Sequence, residues 1–245
     1  MAKNRSPRSR QLGFGVVLAQ LGASLLLLSC VADALALVLP RATAGRVGRA
    51  AVSFIYRCCW ATAQRLGLMR IDADALDALR GETGGLILAA NHPTMLDAML
   101  IVARLPRSVC VMRADLMGNM FLGPGARLAS YIGNDGGRAM VRHSVAALRE
   151  GHLLVLFPEG TRTTTSPIND FKPGISLISH LARAPIQTVM IESESLYLTK
   201  GWPLLKAPPV PVRISLRLGR RFDPDADHRA QLRRLEIYFA EELRR

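Results

Sequence analysis

The first apolar stretch runs from Gln11 to Ala32, 22 residues without a formal charge, and after Asp33 it resumes to Leu39 and Pro40. About 20 apolar residues cross a hydrocarbon core, so Leu12–Leu39 is long enough for one tilted span. Lys3, Arg5, Arg8 and Arg10 precede it, and Arg41, Arg46 and Arg49 follow. Basic flanks on both sides assign no orientation. They also suit a re-entrant or interfacial helical hairpin whose ends stay on one face, with the arginines on anionic head groups. Asp33 disfavours deep burial. A signal peptide shares the basic start, and Leu27-Leu28-Ser29-Cys30 loosely resembles a lipoprotein cleavage site. Membrane attachment is preferred to export. It is preferred to a core helix because almost 30 residues without a polar face exceed what a domain of this size can cover.

Beyond this stretch the pattern alternates. Ala51–Leu68 places Arg57 and Arg65 at helical spacing among apolar clusters, predicting an amphipathic helix. Gly84-Gly85 opens the apolar run Leu86–Ala90, which reads as a buried strand. Asn91-His92-Pro93 follows, with Pro93 suited to the first turn of a helix reaching about Arg104. Further strands are expected at 108–113, 128–132, 153–157, 186–192 and 210–218, and helices at 137–150, at 175–184 and after Pro224. Strands alternating with helices imply the α/β class: a mainly parallel sheet flanked by helices, carrying an N-terminal membrane-associated helical segment. The expected division is a basic, hydrophobic docking part at 1–70 and a folded domain at 71–245.

Charge sharpens this division. The 245 residues carry a formal net charge of +13. Residues 1–70 hold ten basic side chains against Asp33 alone, a net of +9; residues 71–199 are at −1, and residues 200–245 at +5. A nucleic-acid binder would spread its charge over the domain with aromatics interleaved, and aromatics are only 5%. No nucleic-acid partner is expected, and a membrane surface is. Cys30, Cys58, Cys59 and Cys110 form no C-x-x-C pair, which excludes a zinc ribbon or a thioredoxin-type site. His143, His152, His180 and His228 show no metal-ligand spacing.

Two segments carry candidate chemistry. In Asn91-His92-Pro93-Thr94-Met95-Leu96-Asp97, His92 lies where a strand ends and a helix begins, the edge at which parallel α/β sheets bind ligands. Five residues apart on one helix, His92 and Asp97 would sit about 140° apart. With Pro93 placing His92 just outside the helix, the imidazole can fold back onto the Asp97 carboxylate, which fixes its tautomer and makes it a competent general base. A capping histidine is the bland alternative. The chain has no G-x-S-x-G elbow, so a substrate hydroxyl is the expected nucleophile. In Phe157-Pro158-Glu159-Gly160-Thr161-Arg162-Thr163 a buried strand emerges into a turn whose amides and Arg162 could hold a phosphate, with Lys172 adding a second cation. A charged surface turn is the alternative there.

Together, in order and from about Leu86 to Ile191, these motifs resemble the glycerolipid acyltransferase family, lysophosphatidic acid acyltransferase type. The resemblance implies that His92 is the general base and Asp97 its partner, and that residues 71–245 are the acyltransferase domain. It further implies that Asn91, Glu159, Gly160, Thr161, Arg162, Lys172 and Arg138 bind substrate. Acyl-CoA or acyl carrier protein would be the donor, a lysolipid the acceptor, and no resident cofactor or metal is implied. Phe171-Lys172-Pro173-Gly174 and Ala184-Pro185-Ile186 resemble later blocks of the family. The N-terminus resembles the docking element of bacterial members, which implies the cytoplasmic face of the inner membrane. One block departs. Tyr131 to Arg138 has Asn134-Asp135 where the family carries an arginine for the acceptor phosphate. Either Arg138 or Arg142 serves in its place, or the acceptor is another lysolipid, such as an ornithine or polyene lipid. A non-catalytic lipid-binding protein on the same fold is the alternative of a different class.

Overall fold

Ser6 caps the first helix, its hydroxyl accepting from the Ser9 amide at 3.2 Å, and Pro7 occupies the first turn. The structure is a computed structural model that describes residues 6–244, so Lys3, Arg5 and Arg245 of the charge count lie outside it. Helix α1, Pro7–Val38, stays unbroken through Asp33 and ends at Leu39, which is extended because Pro40 follows. Among the described residues it is the one helix long and apolar enough to cross a membrane, which is compatible with membrane attachment. Pro40 turns the chain back as α2, Arg41–Arg65, which packs along α1. The second helix thus begins ten residues before the expected Ala51. The hairpin turn falls at Pro40, not inside the apolar stretch.

Small residues let the hairpin settle on the domain. Gly48 lies so close to α4, Gly123–Leu128, that a Cβ there would stand 2.4 Å from the Ala129 nitrogen. Arg49, expected at lipid head groups, is instead buried and donates to the Ala129 carbonyl at 3.2 Å. This close approach carries its stem into the interface. Asp33 is exposed and pairs with Arg127 at 3.2 Å.

The remaining elements are β1 Met69–Asp72, β2 Leu86–Ala90, α3 Asp97–Arg104, β3 Ser108–Arg113, β4 Ile132–Asn134 and α5 Arg138–Arg149. They continue with β5 Leu153–Leu156, α6 Gly174–Ala182, β6 Ile186–Ser193, β7 Val212–Phe222 and α7 His228–Glu242. One seven-stranded sheet has the order β1-β7-β6-β2-β5-β3-β4. Strands β2 to β6 are mutually parallel, β7 is antiparallel to β6, and β1 runs with β7. The boundary drawn at residue 70 falls inside β1.

The five buried residues of β2 divide between two cores. Leu86, Leu88 and Ala90 join α1, α2 and α3 on one face, while Ile87 and Ala89 join α5, α6 and α7 on the other. The docking helices therefore share a core with the sheet. The strand expected at 128–132 is instead the end of α4 and a turn, with β4 starting at Ile132. Pro124 at the start of α4 and the left-handed Ser130 after it account for this. Four arginines of the C-terminal stretch are paired within the fold. Arg213 pairs with Glu194, Arg217 with Glu192 and Glu242, Arg221 with Glu82 and Arg234 with Asp225.

Gly48→Ala forces backbone apart and is expected to cost about 1–3 kcal/mol, lowering the thermal unfolding midpoint in detergent. Gly15→Ala, which meets nothing within 4 Å, is the control and should be neutral or stabilising. Equal midpoints for the two variants would contradict the α2–α4 contact.

Candidate active site

Strand β2 delivers Asn91 and His92 to the carboxyl edge of the sheet, and its neighbour β5 delivers Phe157 to Arg162 to the same edge. Helix α3 does not begin at Pro93. It begins at Asp97, and residues 93–96 form a turn. The reason lies in Asp97, whose Oδ2 accepts the Thr94 amide at 2.8 Å while its Oδ1 accepts the Thr94 hydroxyl at 2.6 Å. A carboxylate receiving the preceding turn at a helix N-terminus closes that turn on itself.

The same carboxylate meets His92. Nδ1 of His92 lies 2.8 Å from Asp97 Oδ2. With Thr94 donating to both carboxylate oxygens, the imidazole donates through Nδ1, leaving Nε2 free to accept a proton. Asp97 is wholly buried, and burial pushes its carboxyl above the usual range against the opposing pull of His92 and of the Thr94 side chain and amide. The His92 ring keeps about a fifth of its surface exposed and stacks on Phe157, with centroids 4.1 Å apart. Among the described residues no serine or cysteine bonds the ring. Burial pushes the Cys110 thiol up to about 12 and Cys59 up to about 11, so neither offers a thiolate.

Glu159 and Asn91 take another part than the one expected of them. Glu159 is buried; Oε1 accepts the His92 amide at 3.0 Å and the Thr163 hydroxyl at 2.7 Å, and Oε2 accepts the Asn169 amide at 2.9 Å. Asn91 is buried too, exchanging hydrogen bonds with both the carbonyl and the amide of Ile191 on β6. Both polar groups are consumed by the protein, so they frame the site and do not face a ligand.

Gly160, Thr161, Arg162 and Lys172 remain at its surface. Gly160 has φ +70°, a backbone conformation that favours glycine, and the Lys172 stem lies over it, 3.4 Å from where a Cβ would stand. Thr161 and Lys172 are exposed. Arg162 is half-buried and donates through Nη1 to the carbonyls of Leu198 and Thr199 at 3.0 and 3.2 Å. The structure does not join Arg138 to this group. It is exposed at the start of α5, beside Arg142 and Leu177. Asn134 and Asp135 fold back onto the amides of Gly136 and Gly137, at the end of the edge strand.

Two contributors went unnoticed in the sequence. Thr94 was legible as the Thr-x-x-Asp spacing of a helix start. The connection 194–211 was not, having no periodicity. Its Leu198 carbonyl also accepts the Met95 amide at 3.1 Å, and Tyr197 packs on Phe14 of α1, with ring centroids 5.0 Å apart.

The family model described as Acyltransferase matches residues 71–192. Among solved structures, the chain is similar to the 1-acyl-sn-glycerophosphate (LPA) acyltransferase PlsC from Thermotoga maritima. The TM-score is 0.73 at 17% identity, over 97% of this chain and 95% of that one. At this identity the likeness is one of fold. No curated protein matches the sequence.

Removing the Thr94 hydroxyl takes a donor from the charged form of Asp97, so its pKa should rise further. In Thr94→Val the titration midpoint, read from the Asp97 13Cγ shift, is expected to move up by about one unit. Thr94→Ser should restore it; an unmoved midpoint in Thr94→Val would remove Thr94 from the account.

Proposed function

The chain belongs to the acyltransferase family, and from that premise we propose that it moves a fatty acyl group from acyl-CoA or acyl carrier protein to a lysophospholipid hydroxyl, 1-acylglycerol-3-phosphate foremost. The observation that carries the reading is the 2.8 Å contact between His92 and the buried Asp97. As the acceptor oxygen attacks the thioester carbonyl, His92 Nε2 takes the hydroxyl proton and Asp97 stabilises the imidazolium. The tetrahedral intermediate then expels the thiolate, which recovers that proton from His92. An ester and a free thiol result, and no protein nucleophile is used. Arg162 and Lys172 are the cations for the acceptor phosphate, with Gly160 and Thr161 shaping the turn between them.

Attachment to the cytoplasmic face of the inner membrane is part of the same proposal. Leu12, Val16, Leu27, Val31, Leu37 and Val38 of α1 are exposed. Leu205, whose carbonyl accepts from Gln11 at 2.5 Å, and Phe121, whose carbonyl accepts from Ser29, extend this apolar surface at either end of α1. An apolar surface this long suits a leaflet better than water. A second reading, another lysolipid head group, rests on the sequence alone, which has Asn134-Asp135 where the family's arginine is expected.

Thiol release from acyl-CoA, run against a panel of lysolipids, tests the reading. His92→Ala is expected to lose about 10²–10⁴-fold in kcat while keeping its fold and its binding to phospholipid vesicles. Retained turnover would overturn the mechanism, and preference for a phosphate-free lysolipid would overturn the acceptor.

A further inference from the structure

Helices α5 and α6 lie on the sheet face opposite the docking hairpin and leave a groove of about 520 Å³ between them. Its floor is aliphatic: Val141, Val145 and Ala146 from α5 and Leu177 and Leu181 from α6. Leu181 is 44% exposed, a large apolar side chain left without cover. The rim is basic, formed by Arg138, Arg142 and Arg149, and no acidic side chain lines the groove. Arg149 donates to the Leu181 carbonyl at 3.0 Å. The side chains of Arg138 and Arg142 make no hydrogen bond or ion pair among the described residues, unlike Arg217 and Arg221 of β7.

The groove has a direction. Beyond the lining residues, toward the N-terminus of α6, Gly174 lies against Met140 of α5. One residue chain-wise from Pro173, the Lys172 amide donates to the Pro158 carbonyl at 2.7 Å and the Lys172 stem covers Gly160. The start of α6, on the side of the groove where Leu177 lies, thus adjoins the turn that borders His92.

We propose that this groove docks the acidic, amphipathic helix of an acyl carrier protein, so that its prosthetic arm leads past Lys172 to His92. The proposal rests on the acyl-transfer reading above and names the donor's docking surface. Charge complementarity selects the occupant: apolar side chains of a partner helix fill the aliphatic floor, and its carboxylates meet Arg138 and Arg142. A bilayer engaging the apolar face of α1 leaves this opposite face to soluble partners. Without an aromatic side chain in its lining, the groove offers no stacking surface to the adenine of CoA.

The test compares palmitoyl–acyl carrier protein with palmitoyl-CoA as donors for Leu181→Glu and, separately, Ala146→Glu, both at exposed positions. KM for the carrier-bound donor should rise tenfold or more in each variant. KM and kcat for palmitoyl-CoA should stay within twofold. Unchanged carrier KM, or an equal rise for both donors, would overturn the proposal. Binding of the carrier protein without its acyl group to His92→Ala, read by fluorescence anisotropy, keeps docking separate from chemistry. It should persist in His92→Ala and weaken tenfold when Leu181→Glu is added. Loss of anionic-vesicle binding in Leu181→Glu, with carrier binding intact, would reassign the face to lipid and overturn the proposal.

Discussion

One buried carboxylate holds the site's two halves together. Glu159 receives the His92 amide, the Thr163 hydroxyl and the Asn169 amide, so the turn after β2 and the turn after β5 share a single acceptor. The Thr163 amide returns the link to the His92 carbonyl at 2.7 Å. A polar group buried this deeply needs hydrogen-bond partners, and three donors supply them. The pairing fixes the main chain of His92, after which Phe157 below and Asp97 beside it leave the ring one orientation. Asp97 is held in its turn by Thr94, so the His92 ring is positioned by contacts none of which involves a substrate. This is preorganisation in the sense that its cost is met during folding.

The same site is tied to the docking hairpin. Phe14 of α1 packs on Tyr197, and the neighbouring Leu198 gives its carbonyl to both Met95 and Arg162. Gln11 holds the far end of that connection through Leu205 and Ala207. Arg162 then has two tasks, the cation of the turn and the strut of the connection. The two N-terminal helices are consequently part of the enzyme's core.

Much of this was readable from residue order where one force dominated. β2, β3 and β6 lie within a residue or so of their expected bounds, because continuous apolar runs between glycines and prolines have one good solution in a parallel sheet. The His92–Asp97 pairing was legible because Pro93 excluded the helical geometry that would have separated them. The start of α3 was not, since it depends on Thr94 bonding forward to Asp97. β1 was invisible: four residues with one buried side chain have no apolar run, and only pairing with β7 makes them a strand. Glu159, between proline and glycine, reads as an exposed turn residue. Its inward direction comes from donors supplied by distant segments.

If His92 acts only as a base, the acyl group passes straight from the thioester to the acceptor hydroxyl, without an acyl-enzyme. Incubation of the protein with radiolabelled palmitoyl-CoA in the absence of acceptor, followed by denaturation and counting of protein-bound label, tests it directly. The account predicts no stoichiometric labelling and no burst of free CoA. Label retained at one equivalent per chain, released as product when lysolipid is added, would contradict it.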